Sequence, residues 1–453
     1  MTGFRRALET RYAPTVIVLT EREDEEELAR TGAPRLVDAF RAHAEVGGID
    51  RATRTDAENP QRVVRVRSIA TRFASVEGAT MPSAADAREA ARRLVEDACF
   101  GTREAVEAVR RARTEADECE RRAREEASTS RRFEDFFDAN DRSLWFNDVE
   151  MVDHPLGAVL CVNARENYEE ILATFEEQKK RLLRMPVFAR GAADPATCFG
   201  KVIVWNAKNE RGITREKAEE VLKRVQQTGA WDCELLTVNQ DSTGSGQATS
   251  WRENREVVLA SAVEIASPAA EDEGKYMSVD DVACVRNYVR TFTTKTLLPH
   301  IEQKLFALST QIYNTRKGIR NQFKTFWGRS TATAVQSSGE YTHASPESQI
   351  RLAADLAMMC RDYESALANY KLVHNDYKSQ NAWKALACTY ESMAHAHLLS
   401  KAPSSNHLKS DIDQAYENAL STLAKYEASG SGDLHKQVCL MLKTRAAVGT
   451  RKR

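Results

Sequence analysis

Two kinds of hydrophobic spacing divide the chain near its middle. In the first half, short apolar runs predict strands: "PTVIVLT" at 14–20, "GAVLCVNA" at 157–164, "KVIVWNA" at 201–207 and "CELLTVN" at 233–239. "RVVRVRSI" at 62–69 alternates with period two and predicts another strand. Between the last three runs, "NYEEILATFEEQKKRLL" and "ITREKAEEVLKRVQQTG" carry apolar residues at helical spacing. Strand, helix, strand, helix, strand with short connections predicts a parallel α/β sheet, taken as a domain over 1–245. Residues 103–127 are mostly charged, 15 of 25, and predict a solvated helical excursion from that domain.

The second half shows no strand-like pattern of comparable strength. "DSTGSGQATS" and "ASPAAEDEGK" predict a linker-rich region over 246–276. Ser278 with Asp281 three residues later can cap a helix carrying Val282, Val285, Val289 and Phe292, and Pro299 stands where a proline opens a new one. In that second helix Leu298, Ile301, Leu305, Leu308 and Ile312 form a seam, and the stripe resumes at Ile319, Phe323, Phe326 and Trp327. Gly318 interrupts it at a cost of about 1 kcal/mol, so a hinge is expected there, within an amphipathic segment spanning 277–330. A polar linker over 331–345 leads to 346–453. There Ala366, Tyr370, Trp383, Leu386 and Tyr390 fall where tetratricopeptide helices place small and aromatic packing residues, although Ala387 stands where a glycine is usual. The expected fold class is therefore α/β followed by all-α, the latter ending in an α-solenoid.

Charge changes this picture at one place. The chain holds 65 basic and 66 acidic residues, a net charge of −1, so no general affinity for nucleic acid follows and an anionic partner must meet a local patch. "RKGIRNQFKTFWGR" at 316–329 is that patch: Arg316, Lys317, Arg320, Lys324 and Arg329 without an acid, interleaved with Phe323, Phe326 and Trp327. At 100° per residue, Ile319, Phe323, Phe326 and Trp327 fall within about 100° of one another, with Arg320, Lys324 and Lys317 beside or behind them. Two readings compete: a stripe packed into a core with its charges solvated, or a helix lying on an anionic membrane. The candidate membrane-binding residues are Arg316, Lys317, Ile319, Arg320, Phe323, Lys324, Phe326, Trp327 and Arg329. No run approaches the 18 or so apolar residues of a spanning helix, so membrane contact is expected to be peripheral.

Enzymatic chemistry finds little support. A sheet of this order invites a nucleotide, yet no GxxxxGK[ST] loop exists, and the acid-rich "EREDEEEL" follows the first strand where a phosphate loop would stand. The later strands have the order of a Ras-like GTPase, with Asn206 and Lys208 as distant echoes of a guanine-reading loop. The expectation is a Ras-like sheet without nucleotide, a pseudo-GTPase. His395 and His397 lie about 200° apart on a helix and cannot share a metal. The nine cysteines show no zinc-ligand spacing and read as reduced thiols. No catalytic residue, cofactor or metal is expected.

"VRNYVRTFTTKTLLPHIEQKLFALSTQIYNTRKGIRNQFKTFWGR" at 285–329 and "SPESQIRLAADLAMMCRDYESALANYKLVHNDYKSQNAWKALACTYESMAHAHLL" at 345–399 resemble the subunit 8 family of the TRAPP vesicle-tethering complex. "HPLGAVLCVNA" and "CELLTVN" resemble it more loosely, and the charged stretch 103–127 has no counterpart in it. The resemblance implies a non-catalytic scaffold subunit of a Rab guanine-nucleotide exchange complex acting at Golgi and autophagosomal membranes. It implies other TRAPP subunits as partners, a Rab GTPase reached through the assembled complex, an anionic membrane surface and no nucleic acid. It also implies a cytoplasmic, membrane-peripheral location and a solenoid that continues in the family beyond the end of this chain, which would make 346–453 an incomplete array. The alternative is a cytosolic tetratricopeptide adaptor that binds peptides, which would leave the α/β half without a role.

Overall fold

In a computed structural model, the structure describes residues 8–9, 11–49, 51–53, 63–76, 154–209, 211–230, 232–240, 249–250, 276–318, 341–400 and 406–426. The charged stretch 103–127 and most of the polar segments 246–276 and 331–345 lie outside them. The chain is an α/β region followed by a mostly helical one, and it separates into two compact units.

The larger unit is built on five parallel strands in the order β6-β1-β7-β8-β9: β1 (Thr15–Thr20), β6 (Arg72–Ala74), β7 (Pro155–Asn163), β8 (Cys198–Asn206) and β9 (Cys233–Val238). Every residue of β1 and β7 is buried, as continuous apolar runs require when both faces of a parallel sheet are covered. Between β1 and β6 lie two short antiparallel pairs, β2 (Glu45–Val46) with β5 (Ile69–Ala70) and β3 (Arg51–Thr53) with β4 (Val64–Val66). The expected single strand over 62–69 is thus divided between β4 and β5. A last short pair joins β10 (Thr249–Ser250) to β11 (Tyr276–Met277).

Helices cover both faces. After β1 come α1 (Arg22–Arg30) and α2 (Leu36–Arg41); after β7, α3 (Tyr168–Leu183) and α4 (Pro186–Ala189); after β8, α5 (Arg215–Gln227). Ile171, Phe175 and Leu182 of α3 and Ala218, Val221 and Val225 of α5 share one core with Ile17, Leu19, Leu160, Val162 and Ile203. Side-chain oxygens start both helices, Asn167 accepting from the Glu169 amide and Thr214 from that of Lys217. Phe40 of α2 meets Phe73 of β6 and Tyr288, ring centroids 5.6 and 5.4 Å apart, on the opposite face.

Tyr288 belongs to α6 (Val279–Thr291), which opens with a capping box: the Ser278 hydroxyl accepts from the Asp281 amide while the Asp281 carboxylate accepts from the Ser278 amide. Instead of ending before a new helix at Pro299, the chain runs through a π-helical segment (Phe292–Leu297) straight into α7 (Leu298–Gly318). A proline inside a helix removes an amide donor and crowds the carbonyl four residues back, and the wider π turn just before Pro299 absorbs that misfit. Gly200 of β8 admits this rod, since any Cβ there would lie 2.6 Å from the Tyr288 hydroxyl and 2.7 Å from the Phe292 ring. Along α7, Leu298, Ile301 and Leu305 are buried whereas Leu308 and Ile312 are only half-buried, so the expected seam loosens toward Gly318.

α7 is followed by α8 (Pro346–Met359) and α9 (Tyr363–Ser379). Nearly all of α8 is buried, including Arg351 and Asp355, which pair within the helix at 3.2 Å. The Tyr370 hydroxyl of α9 donates to the same Asp355 carboxylate at 2.5 Å, and the Arg351 guanidinium lies 5.0 Å from the Tyr370 ring centre. The second unit is represented by α10 (Trp383–Ser400) and α11 (Asn406–Tyr426), joined through Ala387, Ala394, Ile412, Ala415, Tyr416 and Ala419.

His43, just after α2, gives the larger unit an acid-labile point. Burial, with the Arg286 charge adding to it, lowers its pKa to about 4. The unfolded chain therefore binds this proton from about pH 6.5 downward while the folded chain refuses it, so stability falls as pH drops from about 6.5 toward 4. Replacing His43 by Asn is expected to flatten that part of a urea-midpoint profile; an unchanged slope would contradict the assignment.

Candidate functional site

Open parallel sheets take ligands beyond the carboxyl ends of their strands, at the point where the strand order reverses. Here the chain leaves β1 for β6 on one side and returns to β7 on the other, which places that point beyond Thr20 and Asn163. It is occupied by α1. Asp24, fully buried, accepts the Asn163 amide on Oδ2 at 3.0 Å, and the Asn163 Nδ2 donates to the Asp24 carbonyl at 3.3 Å and to Glu27 Oε2 at 3.1 Å. Two guanidiniums balance the two carboxylates. Arg165 lies 3.5 Å from Asp24; Arg211 lies 3.3 Å from Asp24 and 3.4 Å from Glu27.

The neighbouring strand ends are tied to the same helix. β7, β8 and β9 lead into Asn163, Asn206 and Asn239 respectively. The Asn206 Nδ2 donates to the Thr31 hydroxyl at 2.8 Å, just after α1, and Asn239 Nδ2 donates to Thr31 Oγ1 at 3.2 Å and to Asn206 Oδ1 at 2.9 Å. Asn239 sits at φ 59°, a left-handed conformation that asparagine tolerates better than most residues. Asp281 accepts the Asn239 and Gln240 amides at 2.9 and 3.2 Å, fixing the start of α6 against the end of β9.

This arrangement recognises its own chain. Asn206, the echo of a guanine-reading residue, spends its amide on Thr31 and its oxygen on Asn239 and the Lys208 amide. Two buried acids occupy the reversal point, where a phosphate would meet direct repulsion. The acidity of "EREDEEEL" was legible in the sequence, but not that Asp24 and Glu27 turn inward. The signal available for that was the recurrence of V-N, W-N and V-N at three strand ends. Among the described residues no group of three or more His, Cys, Asp or Glu could hold a metal ion. Burial pushes the Cys198 and Cys233 thiols up to about 12, which keeps them protonated at neutral pH.

Of the candidate membrane-binding residues, Arg316 and Lys317 lie on the last turn of α7. Ile319, Arg320, Phe323, Lys324, Phe326, Trp327 and Arg329 lie outside the described residues, as does whatever follows the expected hinge at Gly318. The helix that leads to them is held firmly. Glu302 takes the Arg51 guanidinium at 2.6–2.9 Å, Lys304 pairs with Asp194 at 2.9 Å and donates to the Ala196 carbonyl at 2.8 Å, and Gln311 donates to Gln349 of α8 at 2.8 Å. No described helix is long and apolar enough to cross a membrane.

The fold and this closed crevice define an α/β protein with helical extensions whose ligand position is filled from within. Residues 8–448 match the family model described as the ER-Golgi trafficking TRAPP I complex 85 kDa subunit, and the chain belongs to that family. It is also 31% identical over 132 residues to the human trafficking protein particle complex subunit 8, an alignment covering 27% of this chain and 9% of that protein. The chain thus matches less than a tenth of the human relative's length. No solved structure matches it.

Proposed function

We propose that the chain is a non-catalytic scaffold subunit of a TRAPP-type Rab guanine-nucleotide exchange and tethering complex, working in ER-Golgi traffic and autophagy. The observation that carries this reading is the family match from residue 8 to residue 448, which leaves almost none of the chain to an unrelated role. Its partners on this reading are other TRAPP subunits, a Rab GTPase met through the assembled complex, and an anionic membrane surface of the Golgi or autophagosome. The α/β half serves as a Ras-like sheet without nucleotide, and the C-terminal helices as tetratricopeptide-like packing units.

Two structural observations support the division of labour. The crevice is filled by Asp24, Glu27 and their arginines, which suits a structural sheet rather than a turnover site. α7 is pinned from Glu302 to Gln311, so the basic segment beginning at Arg316 starts within two turns of the last anchor. A segment offered from a fixed helix loses less freedom on docking than one at the end of a loose tether. Each basic residue near an anionic leaflet contributes roughly 1 kcal/mol and the aromatics a few more, a reversible attachment that other subunits would reinforce.

The nucleotide part of the reading is tested by equilibrium titration with fluorescent GDP and GTP. No saturable binding is expected at micromolar nucleotide. Stoichiometric binding would overturn the pseudo-GTPase assignment while leaving the family membership untouched.

A further inference from the structure

The Asp24 carboxylate meets three donors at the ends of β1 and β7. It receives the Asn163 amide at 3.0 Å and faces the Arg165 and Arg211 guanidiniums at 3.5 and 3.3 Å. At the same strand ends, buried Thr20 Oγ1 and Arg165 Nε find no hydrogen-bond partner among the described residues, and neither does Asn163 Oδ1. Thr20 pairs in register with Cys161, two residues before Asn163, so Thr20 and Asn163 share one face of adjacent strands. Asn163 is 3% exposed and Thr20 9% exposed. A buried polar atom without a partner costs free energy, and three at one reversal point of a sheet can share one cause.

We propose that the crevice at the carboxyl ends of β1 and β7 is an oxyanion site whose ligand is supplied by the chain itself, the Asp24 carboxylate standing where an oxyanion of a free ligand would sit. A carboxylate has two oxygens for these donors, whereas a phosphate has four, which on this proposal leaves oxygens to extend toward the unpartnered Thr20 Oγ1 and Arg165 Nε. The protonated oxygen of hydrogen phosphate can donate to Asn163 Oδ1, which no carboxylate can do. The inference extends the nucleotide-free reading of the sheet, but its test does not use a nucleotide, so either can fail alone.

Asp24→Ala vacates the carboxylate position while keeping Asn163, Arg165 and Arg211. Its melting temperature is measured in sodium chloride, sodium phosphate and sodium formate at matched ionic strength and pH. The expected result is a fall of several degrees in chloride, recovery of at least half of it in tens of millimolar phosphate, and less recovery in formate. The unaltered chain should gain nothing specific, and Asp24→Ala combined with Arg211→Ala should not recover. Equal melting in chloride and phosphate, an equal gain by the unaltered chain, or full recovery without Arg211 would each overturn the proposal. If Asp24→Ala does not fold in chloride, the yield on refolding in phosphate replaces melting as the readout. Glu27→Ala, which removes one contact each to Asn163 and Arg211 and leaves the Asp24 carboxylate in place, is carried through the same series as a control. A phosphate-specific recovery by Glu27→Ala equal to that of Asp24→Ala overturns the proposal as well.

Discussion

Replacing Asp355 by alanine is expected to lower the unfolding free energy of the larger unit by about 3–5 kcal/mol, as removal of one partner from a fully buried ion pair does. Arg351 and Asp355 are both fully buried, and the carboxylate also takes the Tyr370 hydroxyl at 2.5 Å. Without it the guanidinium loses the counter-charge one turn away, and α8 loses this polar link to Tyr370 of α9. Burial, then the Asp355 charge, hold the Tyr370 hydroxyl well above its usual range, so that phenol stays a donor throughout. Urea unfolding should show a lower midpoint with an unchanged slope. The pair replacement Arg351→Met with Asp355→Leu should recover part of the loss, because two apolar side chains leave no charge to compensate although the buried Tyr370 hydroxyl loses its acceptor. A cost below about 1 kcal/mol for Asp355→Ala would mean that the pair does not organise these helices.

The second large effect belongs to the basic segment. Changing Phe326 and Trp327 together to Asp is expected to reduce co-sedimentation with phosphatidylserine-rich or phosphoinositide-rich liposomes to background. It removes two aromatic contacts with the acyl boundary and adds two charges that the leaflet repels. Binding by the unaltered chain should weaken with added salt, because its five cations act through screened attraction. The melting temperature of the double variant should stay within a degree or two of the original. If melting instead falls sharply while the folded fraction still binds liposomes, the stripe belongs to a core and the membrane role is wrong.

Legibility differed between elements for physical reasons. β7, β8 and β9 were readable because strands buried on both faces leave unbroken apolar runs, and α3 and α5 because one-sided burial leaves a 3.6-residue rhythm. β6, only Arg72–Ala74, carries too few residues for any period and was missed. The capping box at Ser278 is a local pattern and was visible, whereas the π segment ahead of Pro299 answers a backbone conflict that composition does not display. The crevice was hidden for a different reason. Asp24 finds its partners at Asn163 and Arg211, 139 and 187 residues away, so its inward turn depends on the finished sheet. An acidic octet read alone says only that a free phosphate is unwelcome. The sheet shows that two of those acids turn inward, onto Asn163 and Arg211.

The measurement that bears most directly on the scaffold assignment is affinity capture of the whole chain from a lysate of the cells that make it, with the co-purifying proteins identified by mass spectrometry. The account predicts that small TRAPP core subunits are recovered in near-stoichiometric amounts and persist through a moderate salt wash. Recovery of the chain alone, or only with a mixture of peptide-bearing clients, would contradict it and favour a tetratricopeptide adaptor instead.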